Sequence, residues 1–445
     1  HTVGGLKTLY DNVQKRFDIS TSSGTASADV SGAFVQTRAY DDFIVLEGSL
    51  SVPIFREGEE PYDAGGRFAF DSEGIPLVQR REDAPVVLTI PDRPMPPGGY
   101  PLVIYIHGSN GLSTQAVDRG RTAMVGGVAA EGEGPAMVLA REGFAVAAMA
   151  LPMNPQRYAG GGKDAYQNLG NFPSVIGHYQ QAVMELGLLL TWLENLTMEG
   201  SSIEGYTGQS SSLMFDFSKG AMAMGQSQGG QTLSLWSAVE PRLRAIVPSG
   251  VGGIYTLVFF LVTNPSVGEL LNFMLGVNNA DLDYMHPLMT LTQMGLENID
   301  PVVTVRHINM SPFAGMQPKS VFYAAGYLDS EFPPGSIEAW VLGIGADLAG
   351  DRVDQTLFDD VQKSGGQVLE YPVSGNRPNP QDPENPQTVV VVQYPEDGIL
   401  SGHHVNFQLD EPKFQYRCFF KSFFDTGVAV VYDPIDPSAV CPASM

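Results

Sequence analysis

The chain has 445 residues, of which 43% are hydrophobic and 17% charged, enough apolar mass to exclude intrinsic disorder as its main state. Its 25 basic and 49 acidic residues give a formal net charge of −24, a surface that repels phosphate backbones, so nucleic acid is not an expected partner. No apolar run approaches the roughly 20 residues of a membrane-spanning helix.

In chain order, the first 45 or so residues read as polar and irregular, an N-terminal extension over 1–45 rather than a domain. Phe43–Phe55 and Pro85–Ile90 have the β-branched, turn-bounded look of antiparallel strands. From Pro101 the pattern becomes short, wholly apolar strands alternating with helical stretches, as in a parallel sheet covered on both faces. The strands are expected at Leu102–Ile106, Phe144–Ala150, Ala221–Met224, Ala245–Pro248, Val321–Ala325 and Val389–Tyr394. Helices are expected at Gly134–Glu142, Val175–Leu196, Gly230–Ala238 and Ser336–Leu348. The fold class is therefore α/β, a mostly parallel, doubly wound sheet.

Two intervals are too long for ordinary loops, 111–134 and about 254–320. The second carries Phe259, Phe260, Phe273 and Met274 and reads as an inserted hydrophobic cap. The interval Asn376–Gln387 reads as a polar loop with no packing signal.

Gly225-Gln-Ser227-Gln-Gly229 closes an apolar strand and opens a helix. A serine on so tight a turn is exposed at the sheet edge, with glycines removing the side chains that would collide, so Ser227 is the candidate nucleophile. The amide of Gln228, at the helix start, is placed to donate to an oxyanion. Upstream, a buried strand ends in His107-Gly108-Ser109-Asn110, which makes the Ser109 amide the second candidate donor and Asn110 the alternative. His107 reads as structural. A nucleophilic serine needs a base and an orienting acid. Asp329, after the strand Val321–Ala325, is the candidate acid with Glu331 as fallback, and Gly402-His403-His404 supplies the base, with His403 favoured over His404.

These motifs, His107-Gly108, Gly225-x-Ser227-x-Gly229, Gly326-x-x-Asp329 and Gly402-His403, resemble the α/β-hydrolase superfamily over roughly Pro85 to Phe424. Within it the chain is similar to bacterial secreted lipases and esterases. The resemblance implies one hydrolase domain over 46–445, a Ser-His-Asp triad, and hydrolysis of carboxylic esters through an acyl-enzyme. It implies no metal and no organic cofactor, and a small-molecule, lipid or polymer ester as the partner. The same triad would serve an amidase or peptidase, and the same fold could carry a non-catalytic binding protein. Cys418 and Cys441, with no zinc-type spacing, read as one structural disulfide rather than two buried thiols. With a chain that starts at His1 rather than Met, this predicts a secreted protein.

Overall fold

A computed structural model describes residues 3–17, 34–168, 170–208, 212–261, 276 and 285–443. The main sheet is built from β1 (Val35–Ala39), β2 (Phe43–Ile54), β3 (Arg80–Pro91), β4 (Tyr100–Ile106), β5 (Ala145–Met149), β6 (Ala221–Gln226), β7 (Leu243–Ser249), β8 (Ser320–Gly326), β9 (Asp347–Ala349), β10 (Val368–Leu369) and β11 (Val389–Tyr394). Their spatial order is β1-β2-β3-β5-β4-β6-β7-β8-β11-β9-β10. The first three strands and the β3–β5 pair are antiparallel, and every later pairing is parallel.

The central strands are apolar throughout because both faces are covered. Along β4, Leu102, Ile104 and Ile106 enter one core while Val103 and Tyr105 enter the other. The first core is closed by α1 (Val3–Arg16), α2 (Phe172–Asn195), α3 (Gln228–Val239) and α4 (Pro334–Ile344). The second is closed by the helix Pro135–Ala140 and by α5 (Asp410–Thr426), which buries Phe419, Phe420 and Phe423.

Several expectations need correction. The supposedly irregular N-terminus holds α1, whose Leu6, Leu9, Tyr10 and Val13 are buried. These positions follow the helical 3–4 spacing, and each fully buried apolar side chain contributes about 1.5–3 kcal/mol, enough to dock a segment that looks polar on average. The helix expected to run to Leu348 ends at Ile344, because Gly345 adopts φ 69° and turns the chain back for β9. The loop 376–387 is held after all: Arg377 pairs with buried Asp347 at 2.7 Å, and Asn376 Nδ2 donates to the same carboxylate at 2.8 Å.

The interval expected to be a cap enters the structure through the helix Tyr255–Leu261 and leaves it through Pro287–Leu296. Asp300 ties these together, accepting from Ile254 N, Tyr255 N and Gln293 Nε2 at 2.7–3.0 Å. Leu296, Ile299, Val305 and Ile308 then join the main core, so this end of the insertion is ordinary helix packing. Phe273 and Met274 lie outside the described residues, as do the side chains of Phe259 and Phe260. Cys418, on α5, is disulfide-bonded to Cys441, which fastens the C-terminal tail to that helix. Among the described residues no helix is long and apolar enough to cross a membrane.

Candidate active site

Ser227 sits between β6 and α3 with φ 59° and ψ −125°. A β-carbon in this region of backbone space is strained by about 1–3 kcal/mol, a cost that persists only where the surroundings impose the turn. They do so here through close approach: a Cβ on Gly225 would lie 2.5 Å from Gly229 O, and one on Gly229 would collide with Ile106 O at the end of β4. The two glycines therefore let the start of α3 press against the neighbouring strand. Ser227 N donates to Ser249 O at 3.0 Å, which ties the turn to β7 as well.

The end of β4 turns sharply over this serine. Gly111 N donates to Gly108 O at 3.0 Å, Asn110 has φ 57°, and a Cβ on Gly108 would lie 3.1 Å from Ser227 Cβ. The Asn110 side chain ties this turn to the neighbouring loop, its Oδ1 accepting from Lys163 N at 2.7 Å. Ser109 faces the cleft and its hydroxyl bonds the Tyr166 hydroxyl. The Gln228 amide opens α3 and so has no acceptor within that helix. Its side chain instead reaches down to donate to His178 Nε2 at 2.7 Å.

His107 occupies the structural position expected of it. Leu151 N donates to Nε2 at 2.9 Å while Nδ1 meets Gly108 O at 2.8 Å, and burial pulls its pKa down to about 4. His178 is buried in α2 with its ring stacked 4.8 Å from Tyr166.

Asp329 and His403 meet from strand ends 74 positions apart. His403 Nδ1 lies 2.9 Å from Asp329 Oδ2, and the other carboxylate oxygen accepts from Glu331 N and Phe332 N at 2.8 Å each. The acid is thus clamped by its own turn, with one oxygen left to orient the imidazole. Phe332 lies against the imidazole, 5.9 Å between ring centroids. Glu331 lines the same cleft but makes no bond to His403; its carboxylate pairs with Lys163 at 2.8 Å. His404 faces a different partner, its Nδ1 accepting from Arg119 Nη2 at 3.3 Å, and burial together with the neighbouring His403 and Arg119 lowers its pKa to about 3.

A serine at a strained strand-to-helix turn, an acid after β8 and a histidine after β11 thus follow one another along one edge of a mixed, mostly parallel sheet. The chain has the α/β-hydrolase fold.

No protein-family model matches the chain, and no curated protein sequence matches it. Among solved structures it is similar to an acetyl xylan esterase from Thermoanaerobacterium sp., at 14% identity over 88% of each chain with a TM-score of 0.45. An acetyl xylan esterase from Paenibacillus sp. is similar at 15% identity over 82% of this chain and 87% of that one, with a TM-score of 0.43. An acylaminoacyl peptidase from Pyrococcus horikoshii is similar at 10% identity over 92% of this chain but 51% of that one, with a TM-score of 0.39. The strand order and the turn at Ser227 are those of an α/β-hydrolase fold.

In this hydrolase fold, Ser227 and His403 line one cleft of about 240 Å³, together with Ser109, Gln226, Arg119 and Lys163. Three larger hollows, about 520, 600 and 340 Å³, lie beside Arg377, between α1 and α2, and beside Arg242, and hold none of these residues. Chemistry, not volume, picks out the smaller one. Sequence reasoning missed Gln226 and Arg119. The first is the variable position of the serine motif, and the second lies in the interval 111–134, whose excess length was the only signal that it had work to do.

Proposed function

We propose that this chain is a secreted serine hydrolase of carboxylic esters, with Ser227 as nucleophile, His403 as base and Asp329 as the orienting acid. The observation that carries the reading is the His403–Asp329 hydrogen bond, made inside the cleft that also exposes a serine held at φ 59°. With Nδ1 committed to the carboxylate, the imidazole presents Nε2 as the basic nitrogen.

Ser227 Oγ attacks the ester carbonyl as His403 takes its proton, and the carbonyl oxygen becomes an oxyanion. The amides of Ser109 and Gln228 are the proposed donors to it, each such donor being worth about 3–4 kcal/mol of barrier. The C–O bond to the alcohol breaks as His403 returns the proton to the leaving oxygen. Water, deprotonated by the same nitrogen, then cleaves the acyl-enzyme and regenerates the serine. All steps use the chain's own groups. The domain over 46–445 and the cap function of 254–320 belong to the same proposal, as does secretion, which the disulfide supports through its need for an oxidising compartment.

Fluorophosphonate labelling followed by peptide mapping tests the assignment. Label on Ser227, with turnover of short p-nitrophenyl esters and loss of both in Ser227→Ala, is the expected result. An unlabelled wild-type protein, or label on another serine, overturns it.

A further inference from the structure

In a chain with 49 acidic and 25 basic residues, a cation has carboxylates to choose from. Two cations line the cleft at Ser227. Lys163 is neutralised by Glu331 at 2.8 Å. Arg119 makes no ion pair among the described residues: its Nη2 donates to His404 Nδ1 at 3.3 Å, and its guanidinium lies 5.2 Å over the Phe407 ring. Neither partner carries charge, since His404 is held neutral far below its ordinary pKa. Arg119 is itself partly withdrawn from water, which lowers its pKa from the usual value. Only Nη2 is hydrogen-bonded among the described residues, and none of the other guanidinium nitrogens is buried without a partner, so their N–H donors stay open to water and to a ligand. The rigid fork of those donors matches a carboxylate.

We propose that the cleft takes esters bearing a carboxylate within a few carbons of the scissile bond, with Arg119 binding that carboxylate. The inference rests on the ester-hydrolase reading. A neutral ester would leave the guanidinium as poorly paired in the complex as in the free protein, whereas an anionic one supplies the missing partner. The small size of the cleft, about 240 Å³, keeps the carboxylate close to the reacting carbonyl.

The test compares kcat/KM within two matched pairs. One pair carries the charge on the acyl side, p-nitrophenyl hydrogen glutarate against its terminal amide. The other carries it on the alcohol side, 4-acetoxybutyrate against 4-acetoxybutyramide. In at least one pair the carboxylate compound should be favoured roughly tenfold or more, the scale of a charge-assisted pair. Arg119→Gln should bring that ratio to about one, and Arg119→Lys should restore part of it. A wild-type ratio of one or less in both pairs, or a ratio unchanged by Arg119→Gln, overturns the proposal. If the Gln variant does not fold, free glutarate and glutaramide are compared as competitors of p-nitrophenyl acetate hydrolysis by the wild type. Inhibition by glutarate alone supports Arg119, and equal or absent inhibition overturns it. Failure of the hydrolase reading looks different, because then neither member of either pair is turned over and Ser227 takes no fluorophosphonate.

Discussion

Gln226 Nε2 donates to the main-chain oxygen of His403 at 3.0 Å, so the residue before the serine also holds the loop that carries the histidine. Both partners are buried, and the bond crosses from the end of β6 to the turn after β11. It couples the position of the candidate base to that of the candidate nucleophile.

Gln226→Leu removes this link while keeping the side chain's approximate size. The imidazole then loses one of its anchors, and displacement of a base by about 1 Å costs on the order of a hundredfold in rate. The expected result is a fall in kcat of roughly ten- to hundredfold on a short ester, with KM changed much less. An unchanged kcat would show that the Asp329 bond alone positions the ring.

The two adjacent histidines should separate by mutation. His403→Ala removes the group that meets Asp329 and should lose ester hydrolysis about as fully as Ser227→Ala, since nucleophile and base act as a unit. His404→Ala removes an acceptor from Arg119 and should lose less than about a hundredfold. The opposite ranking would move the base to His404.

Stability should fall in mild acid through His107. Its folded pKa of about 4 is below the ordinary 6.5 because it is buried, so the unfolded chain takes up a proton that the folded chain refuses. The stabilisation is complete above pH 6.5 and is lost as pH drops toward 4. Between pH 7 and 5 this single group accounts for about 2 kcal/mol. Urea unfolding of the wild type and His107→Asn at both pH values measures it: the variant should lose less stability over that interval, by about that amount. Equal losses would remove His107 from the account.

Reduction of Cys418–Cys441 should lower stability by roughly 3 kcal/mol in the chain-entropy account, for a crosslink spanning 23 positions. Unfolding midpoints with and without reductant, together with intact mass after alkylation, decide this. Two alkylated thiols in the unreduced protein would show that the bond does not form in solution.

Sequence alone determined the features that depend on neighbouring residues. β11 is the run Val389–Tyr394 as read, since four consecutive β-branched valines in a short run bounded by polar loops favour a strand buried on both faces over a helix. The turn at Ser227 was legible for the same reason, because the two glycines that permit it lie within two residues of the serine. Tertiary structure decided what depends on distant partners. The Leu6, Leu9, Tyr10 and Val13 stripe is helical in spacing, but only the core it docks against makes that helix worth forming. His403 and His404 are equivalent as side chains, and it is the placement of Asp329, 74 positions earlier, that gives one of them a carboxylate and leaves the other facing Arg119. Arg119 itself has no local signature. Its significance is that no carboxylate among the described residues pairs with it, and a missing partner is a property of the folded arrangement, which brings residues together regardless of their separation along the chain.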